Sequence, residues 1–185
     1  FGELCAFSAA AGCVVYMGAL MIENYNTSPT IVGTVLGIAM LTYLPGTLCF
    51  RRWLEQSSQT LLIGLSLGGA VVATLIGSLR ISLIATGGLI ALFMFINAGR
   101  TMAGSSYGLD VAPSQSVSVM GIRTAAIQGG FLFGAGLGGL ALTFGGYTAL
   151  GATFAALYIA GAIPHICNRN TPKWQKLNGE SAESL

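Results

Sequence analysis

Six uninterrupted apolar runs, each near the length of a bilayer crossing, dominate this chain, and no water-soluble fold accommodates them side by side. They cover about 4–22, 30–50, 60–79, 81–104, 119–144 and 147–166. Each supplies the ~20 residues that a helix rising 1.5 Å per residue needs to cross the hydrocarbon. A strand reading fails because the runs lack the alternation a membrane barrel shows over ~10 residues. Helices also satisfy their own backbone polar groups, which the bilayer requires. Only 8% of the residues are charged, against roughly 25% in soluble domains. The 27 glycines fit helices that approach one another closely in lipid. The expected fold is therefore an all-α integral membrane bundle of six transmembrane helices over residues 1–168. A polar tail, 169–185, follows with the composition of a disordered segment.

The few charges fix an orientation. With both ends cytoplasmic, Arg51, Arg52, Arg123, Arg169, Lys173 and Lys176 fall on the inside and only Arg80 outside, as the positive-inside rule requires. Arg51, Arg52, Asp110 and Arg123 are thus read as charges of the cytoplasmic loops. Glu3, Glu23 and Asp110 sit near helix ends, where solvated interface positions are expected. The plasma or inner membrane is the expected location. The chain opens at Phe1 with neither an initiator methionine nor a charged leader, as expected for a piece of a longer protein. Cys5, Cys13, Cys49 and Cys167 lack metal-type spacing and read as small hydrophobes, and no cofactor is expected.

Arg100 is the most informative residue. An arginine within a membrane helix costs ~2.5–3.5 kcal/mol on insertion scales and normally faces the bundle interior or a wet cavity. It is either a substrate, relay or gating group, or a structural one, snorkelling to the interface or pairing with Asp110 or Glu3. Gly130, Gly134 and Gly138 fall four apart and make one smooth stripe for tight helix packing. Gly33 with Gly37 and Gly64 with Gly68 repeat that spacing. Asn97, Gln128, Tyr16, Tyr43 and Thr42 are polar residues placed at membrane depth, fit to line a path or to bond a neighbouring helix. Pro45-Gly46 is expected to bend the second span. Gly104-Ser105-Ser106-Tyr107-Gly108 matches the G-x-S-x-G pattern, but it lacks a strand-to-helix elbow and His165 is the chain's lone histidine. No phosphate loop or nucleic-acid signature is present, so neither ATP hydrolysis nor nucleic-acid binding has support, and an enzyme is not expected.

Gly46-Thr47-Leu48-Cys49-Phe50-Arg51-Arg52 resembles the glycine-x-leucine-x-aspartate-arginine loop of the major facilitator superfamily, with Phe50 where the aspartate stands. Arg100-Thr101-Met102-Ala103-Gly104 resembles that family's arginine-x-x-glutamine-glycine pattern, with Ala103 replacing the glutamine. Pro113, Met120-Gly121 and the glycine-rich fifth run resemble the passage into its last helix pair. The degenerate loop points to the C-terminal six-helix half of a twelve-helix transporter. The resemblance implies secondary active transport of a small solute by alternating access. It also implies a partner absent from this sequence, the N-terminal six-helix half. Carried over by position, Tyr16, Tyr43, Asn97, Arg100 and Gln128 would face the pathway, and Arg100 would favour an anionic substrate. The alternative from a different class is a six-helix scaffold or assembly protein without transport activity, dimerising through its glycine stripes.

Overall fold

The computed structural model describes residues 1–79, 81–111 and 113–167, and the side chains of these except Glu55, Gln56 and Pro113. Arg80 and the tail 169–185, with Arg169, Lys173 and Lys176, lie outside the described residues. Among those described there is no strand. The helices are α1 (Gly2–Tyr25), α2 (Pro29–Leu41), α3 (Tyr43–Ser78), α4 (Leu83–Val111) and α5 (Ser116–Cys167). A single 3₁₀ turn, Pro113–Gln115, precedes α5. Among the described residues, five helical stretches are long and apolar enough to cross a membrane.

The local chemistry explains where these helices stop. Asn26 closes α1 in the left-handed conformation (φ 47°, ψ 44°), which asparagine tolerates better than other residues with a Cβ. Ser28 then caps α2, its hydroxyl accepting from the Ile31 amide at 3.4 Å, with Pro29 at the first helical position. Where a bend is expected at Pro45-Gly46, the helix is interrupted one turn earlier, at Thr42 (φ −67°, ψ −13°), between α2 and α3. Proline removes the amide that would bind the Leu41 carbonyl and crowds that carbonyl. The Thr42 hydroxyl lies 2.7 Å from the carbonyls of both Ala39 and Ala91, tying the joint to α4.

Spans two and three are joined by a kink rather than a loop. Helix runs through Arg51 and Arg52, both exposed, and breaks at Ser57 (φ −167°, ψ 96°). Ser57 then caps the next turn by accepting from the Thr60 amide at 3.3 Å. The fifth and sixth runs form the two arms of α5, divided where Gly146 adopts φ +62°. Only glycine takes that conformation without strain. The polar stretch from Asp110 to Ser118 is mostly helical, so Asp110 ends up in the last turn of α4 and Arg123 inside α5.

Helix α1 packs mainly against α5, while α3 packs against α4 and α5. The buried core includes Met17, Met21, Phe93, Phe154 and Tyr158. Gly130, Gly134 and Gly138 are buried, and α1 fills the stripe they form. A Cβ at Gly130 would lie 2.8 Å from that of Phe7, one at Gly134 would meet Gly12 N at 2.9 Å, and one at Gly138 would run into the Tyr16 ring. Gly33, Gly37 and Gly64 have open space instead among the described residues, while a Cβ at Gly68 would lie 3.7 Å from the Ile96 side chain. Ile84, Val117, Ile122, Leu132 and Phe144 point outward, each more than two-thirds exposed. Such an outer surface is stable against lipid rather than water.

Replacing Gly134 by alanine should destabilise the bundle by about 1–3 kcal/mol, because the obstructing atoms are backbone and cannot yield. Alanine at Gly136, where nothing lies within 4 Å, should change stability by less than about 0.5 kcal/mol. Thermal unfolding of the two variants in mild detergent makes the comparison.

Candidate functional site

Charge is concentrated at one end of the bundle, where α1 begins and α4 ends. Glu3 stands in the first turn of α1, a position favoured for a carboxylate by the helix dipole. Arg100 approaches it from α4. It is 1% exposed, the largest fully buried side chain among the described residues. Its Nη2 donates to Glu3 Oε1 at 3.0 Å, and its Nε donates to Ser66 Oγ on α3 at 3.2 Å. Arg123 approaches from α5. Its Nε lies 3.3 Å from Glu3 Oε2, close enough for ion pairing but not aligned as a hydrogen bond. Its Nη2 donates to the Thr101 carbonyl at 2.7 Å.

Phe7, one turn beyond Glu3 on the same face of α1, sits near both guanidinium groups. Their carbons lie 5.3 Å (Arg100) and 5.4 Å (Arg123) from its ring centroid, within reach of a cation–π attraction. One carboxylate and one aromatic face therefore serve two arginines from different helices. The cluster carries a surplus of one positive charge.

A second polar layer lies deeper. Tyr158 donates to Asn97 Oδ1 at 2.8 Å, and Asn97 Nδ2 donates to the Phe93 carbonyl at 3.2 Å. At the opposite end α1 is held differently. Tyr147 donates to Glu23 Oε2 at 2.8 Å, and the hydroxyls of Tyr25 and Thr86 are 2.6 Å apart. Among the described residues the contacts given there come from hydroxyls.

Beside the Glu3 cluster opens a cavity of ≈ 350 Å³ lined by residues of α1, the end of α4 and both ends of α5. Glu3, Arg123, Tyr107 and His165 are among its walls. The Tyr107 and His165 rings meet edge to face, with centroids 5.2 Å apart.

The residues singled out in the sequence are distributed unevenly around this geometry. Arg100 and Asn97 are buried and hydrogen-bonded. Tyr16 is half-buried and donates to the Ala135 carbonyl at 2.6 Å. Tyr43 is half-buried and Gln128 exposed. Arg123 is an interior partner of Glu3 rather than a loop charge, because α5 begins at Ser116 and carries it two turns inward. Glu3 is not a solvated interface residue, since two arginines enclose it and its side chain is only 21% exposed. Of the two acids expected as possible partners of Arg100, Glu3 takes the role, while Asp110 is exposed and accepts from Ser58 at 3.1 Å. The Glu3/Phe7 spacing was the available signal for this site, since residues four apart share a helix face. His165 carried no signal beyond being the lone histidine. Ser105, in the G-x-S-x-G segment, donates to the Thr101 carbonyl at 3.0 Å within unbroken helix. Cys5 and Cys13 are buried, whereas Cys49 and Cys167 are exposed. No group of three metal-ligating side chains occurs among the described residues.

The family profile of the Major Facilitator Superfamily matches residues 1–184. No curated protein and no solved structure matches the chain.

Glu3→Gln should cost about 3–5 kcal/mol, because it strands the buried Arg100 guanidinium without a counter-charge. Arg100→Met should cost less, since Glu3 keeps Arg123 beside it and the new side chain is apolar. Thermal unfolding of both variants against the wild type gives the order.

Proposed function

The chain belongs to the Major Facilitator Superfamily, and on that premise we propose that it is the C-terminal six-helix half of a secondary active transporter that moves a small solute by alternating access. Family membership makes it an integral membrane protein of solute transport. The observation that best supports the finer reading is the asymmetry of α1. Among the described residues, Glu3 binds one end of this helix to α4 and α5 through ion pairs, whereas hydrogen bonds from hydroxyls hold its other end. An ion pair between helices is strong while dry and weak once water enters. It therefore makes a two-position contact, closed when the Glu3 end is sealed and open when water reaches it. By the positive-inside assignment, that end faces the cytoplasm.

In this reading Arg100 is a gating group, because its Nη2 and Nε already join α4 to Glu3 of α1 and Ser66 of α3. Asn97 ties the fourth span to Tyr158 of the sixth. Gln128, Tyr43 and Tyr16 lie on or near the less buried faces and are proposed to border the pathway. The helical stretch Pro29–Leu54 is only 17% buried within its apolar window, as suits a face covered by the N-terminal half. The scaffold alternative would have to dimerise through other faces, since α1 occupies the stripe of Gly130, Gly134 and Gly138.

The test is uptake by proteoliposomes containing the complete parent protein, across a panel of small anionic and cationic solutes, with and without a pH gradient. Saturable uptake is expected, falling at least tenfold in Arg100→Ala. Normal transport by a folded Arg100→Ala protein would contradict the gating role. Absence of any uptake by folded wild type would contradict the transporter reading.

A further inference from the structure

Helices α3 and α4 interlock beside Arg100. On α3, Gly46 and Phe50 lie four residues apart and share a face. A Cβ at Gly46 would lie 2.8 Å from that of Ala98 and 2.9 Å from the Phe95 carbonyl oxygen. One turn further on, a Cβ at Gly99 would run into the Phe50 ring. Gly99 is buried, and its missing side chain leaves a notch in α4 that the ring fills. The Phe95 ring lies beside it with centroids 5.1 Å apart, and Trp53 meets Phe50 edge to face at 6.4 Å. Phe50 stands where the family's loop pattern has aspartate, so an apolar wedge takes the place of a charge.

The notch is one residue from Arg100, about 100° round the same helix. Arg100 reaches Glu3 on α1 and Ser66 further along α3 at once, at 3.0 and 3.2 Å. A side-chain end on an ordinary helix lies roughly 6 Å from the axis, so turning α4 by about 10° moves the guanidinium by about 1 Å. A bond lengthened from 3.2 Å by that amount is broken. The rotation of α4 therefore decides whether the cluster holds. A ring seated against bare backbone resists the turn, because the packed wall of the notch would be driven against it.

We propose that Phe50 is the positioning residue for Arg100: seated at Gly99, it sets the rotation of α4 that aims the guanidinium at Glu3 and Ser66. Movement at the Arg51 end of the second span is thereby carried to the Glu3 cluster, although Phe50 touches none of its charges. That Arg100 gates transport rests on the transporter reading; that Phe50 positions it does not.

The test reads the coupling between Glu3 and Arg100 in the complete parent protein in mild detergent. A cycle of Glu3→Gln, Arg100→Gln and the double variant, each unfolded chemically, gives that coupling as a ratio of unfolding constants. In a Phe50→Ala background the ratio should move at least threefold toward unity, whereas Phe50→Tyr, which keeps the ring, should leave it in place. Ile76→Ala truncates a core side chain, 3% exposed, near the other end of α3. It should destabilise the bundle without altering the ratio. An unchanged ratio in folded Phe50→Ala overturns the positioning role, as does an equal loss in Ile76→Ala. If Phe50→Ala does not fold, Gly99→Ala, which displaces the ring without truncating it, decides in the same way. Proteoliposome uptake separates the two readings. A lost ratio with wild-type uptake leaves Phe50 as the positioning residue and overturns the gating role of Arg100. A retained ratio with lost uptake overturns the positioning role alone.

Discussion

A single carboxylate shared by two arginines governs this end of the bundle. Charged groups in a low-dielectric interior are tolerated only when paired and hydrogen-bonded. Burying Arg100, 1% exposed, therefore depends on Glu3, whose carboxylate lies 3.0 Å away. That condition fixes the register of α1 against α4, and with it the depth at which the rest of α1 lies. Ser66 holds the Nε of the same guanidinium and brings α3 into the arrangement. Phe7 supplies an aromatic face to both arginines, so the cluster combines charge, hydrogen bonding and cation–π contact around one turn of helix.

The glycine stripe makes that register possible. Ion pairs reach only a few ångströms, and α1 could not bring Glu3 to Arg123 if side chains on α5 held the helices at ordinary spacing. Gly130, Gly134 and Gly138 remove that obstacle along the two turns that face Phe7 to Tyr16. Smooth helix contact and ionic contact thus act on the same pair of elements. The smooth surface places little resistance on relative movement, and the charges define which position is preferred. In the proposed transport mechanism these two features would supply a rocking element held by a breakable contact.

Much of this architecture was legible in the sequence. Apolar runs of spanning length marked where the helices lie, the fifth and sixth joined in α5, and the four-residue glycine spacing identified the packing stripe. Gly145-Gly146 marked the division of α5. Connections were harder to read, because polarity alone suggested loops where α3 and α5 continue as helix through Arg51 and past Ser116. Polar residues need not leave a helix when they can face solvent or a partner. The site was legible only in part. Arg100 stood out because an arginine at membrane depth is costly, but its partner is 97 residues away in sequence, and no local rule selects between Glu3 and Asp110. Arg123 was misplaced for the same reason as the loops. His165 and the cavity depend on bringing both ends of α5 beside the start of α1, which is tertiary information.

The central claim is that Glu3 and Arg100 act as one energetic unit, and a double-mutant cycle measures that directly. Glu3→Gln, Arg100→Gln and the double variant would be compared by unfolding in the same detergent. The account predicts a coupling energy of at least about 1 kcal/mol, within the range of 0.5–3 kcal/mol seen for residues in contact, with the double variant less damaged than the sum of the singles. Additive effects would contradict it and reduce the ion pair to a neighbourhood without mechanical consequence.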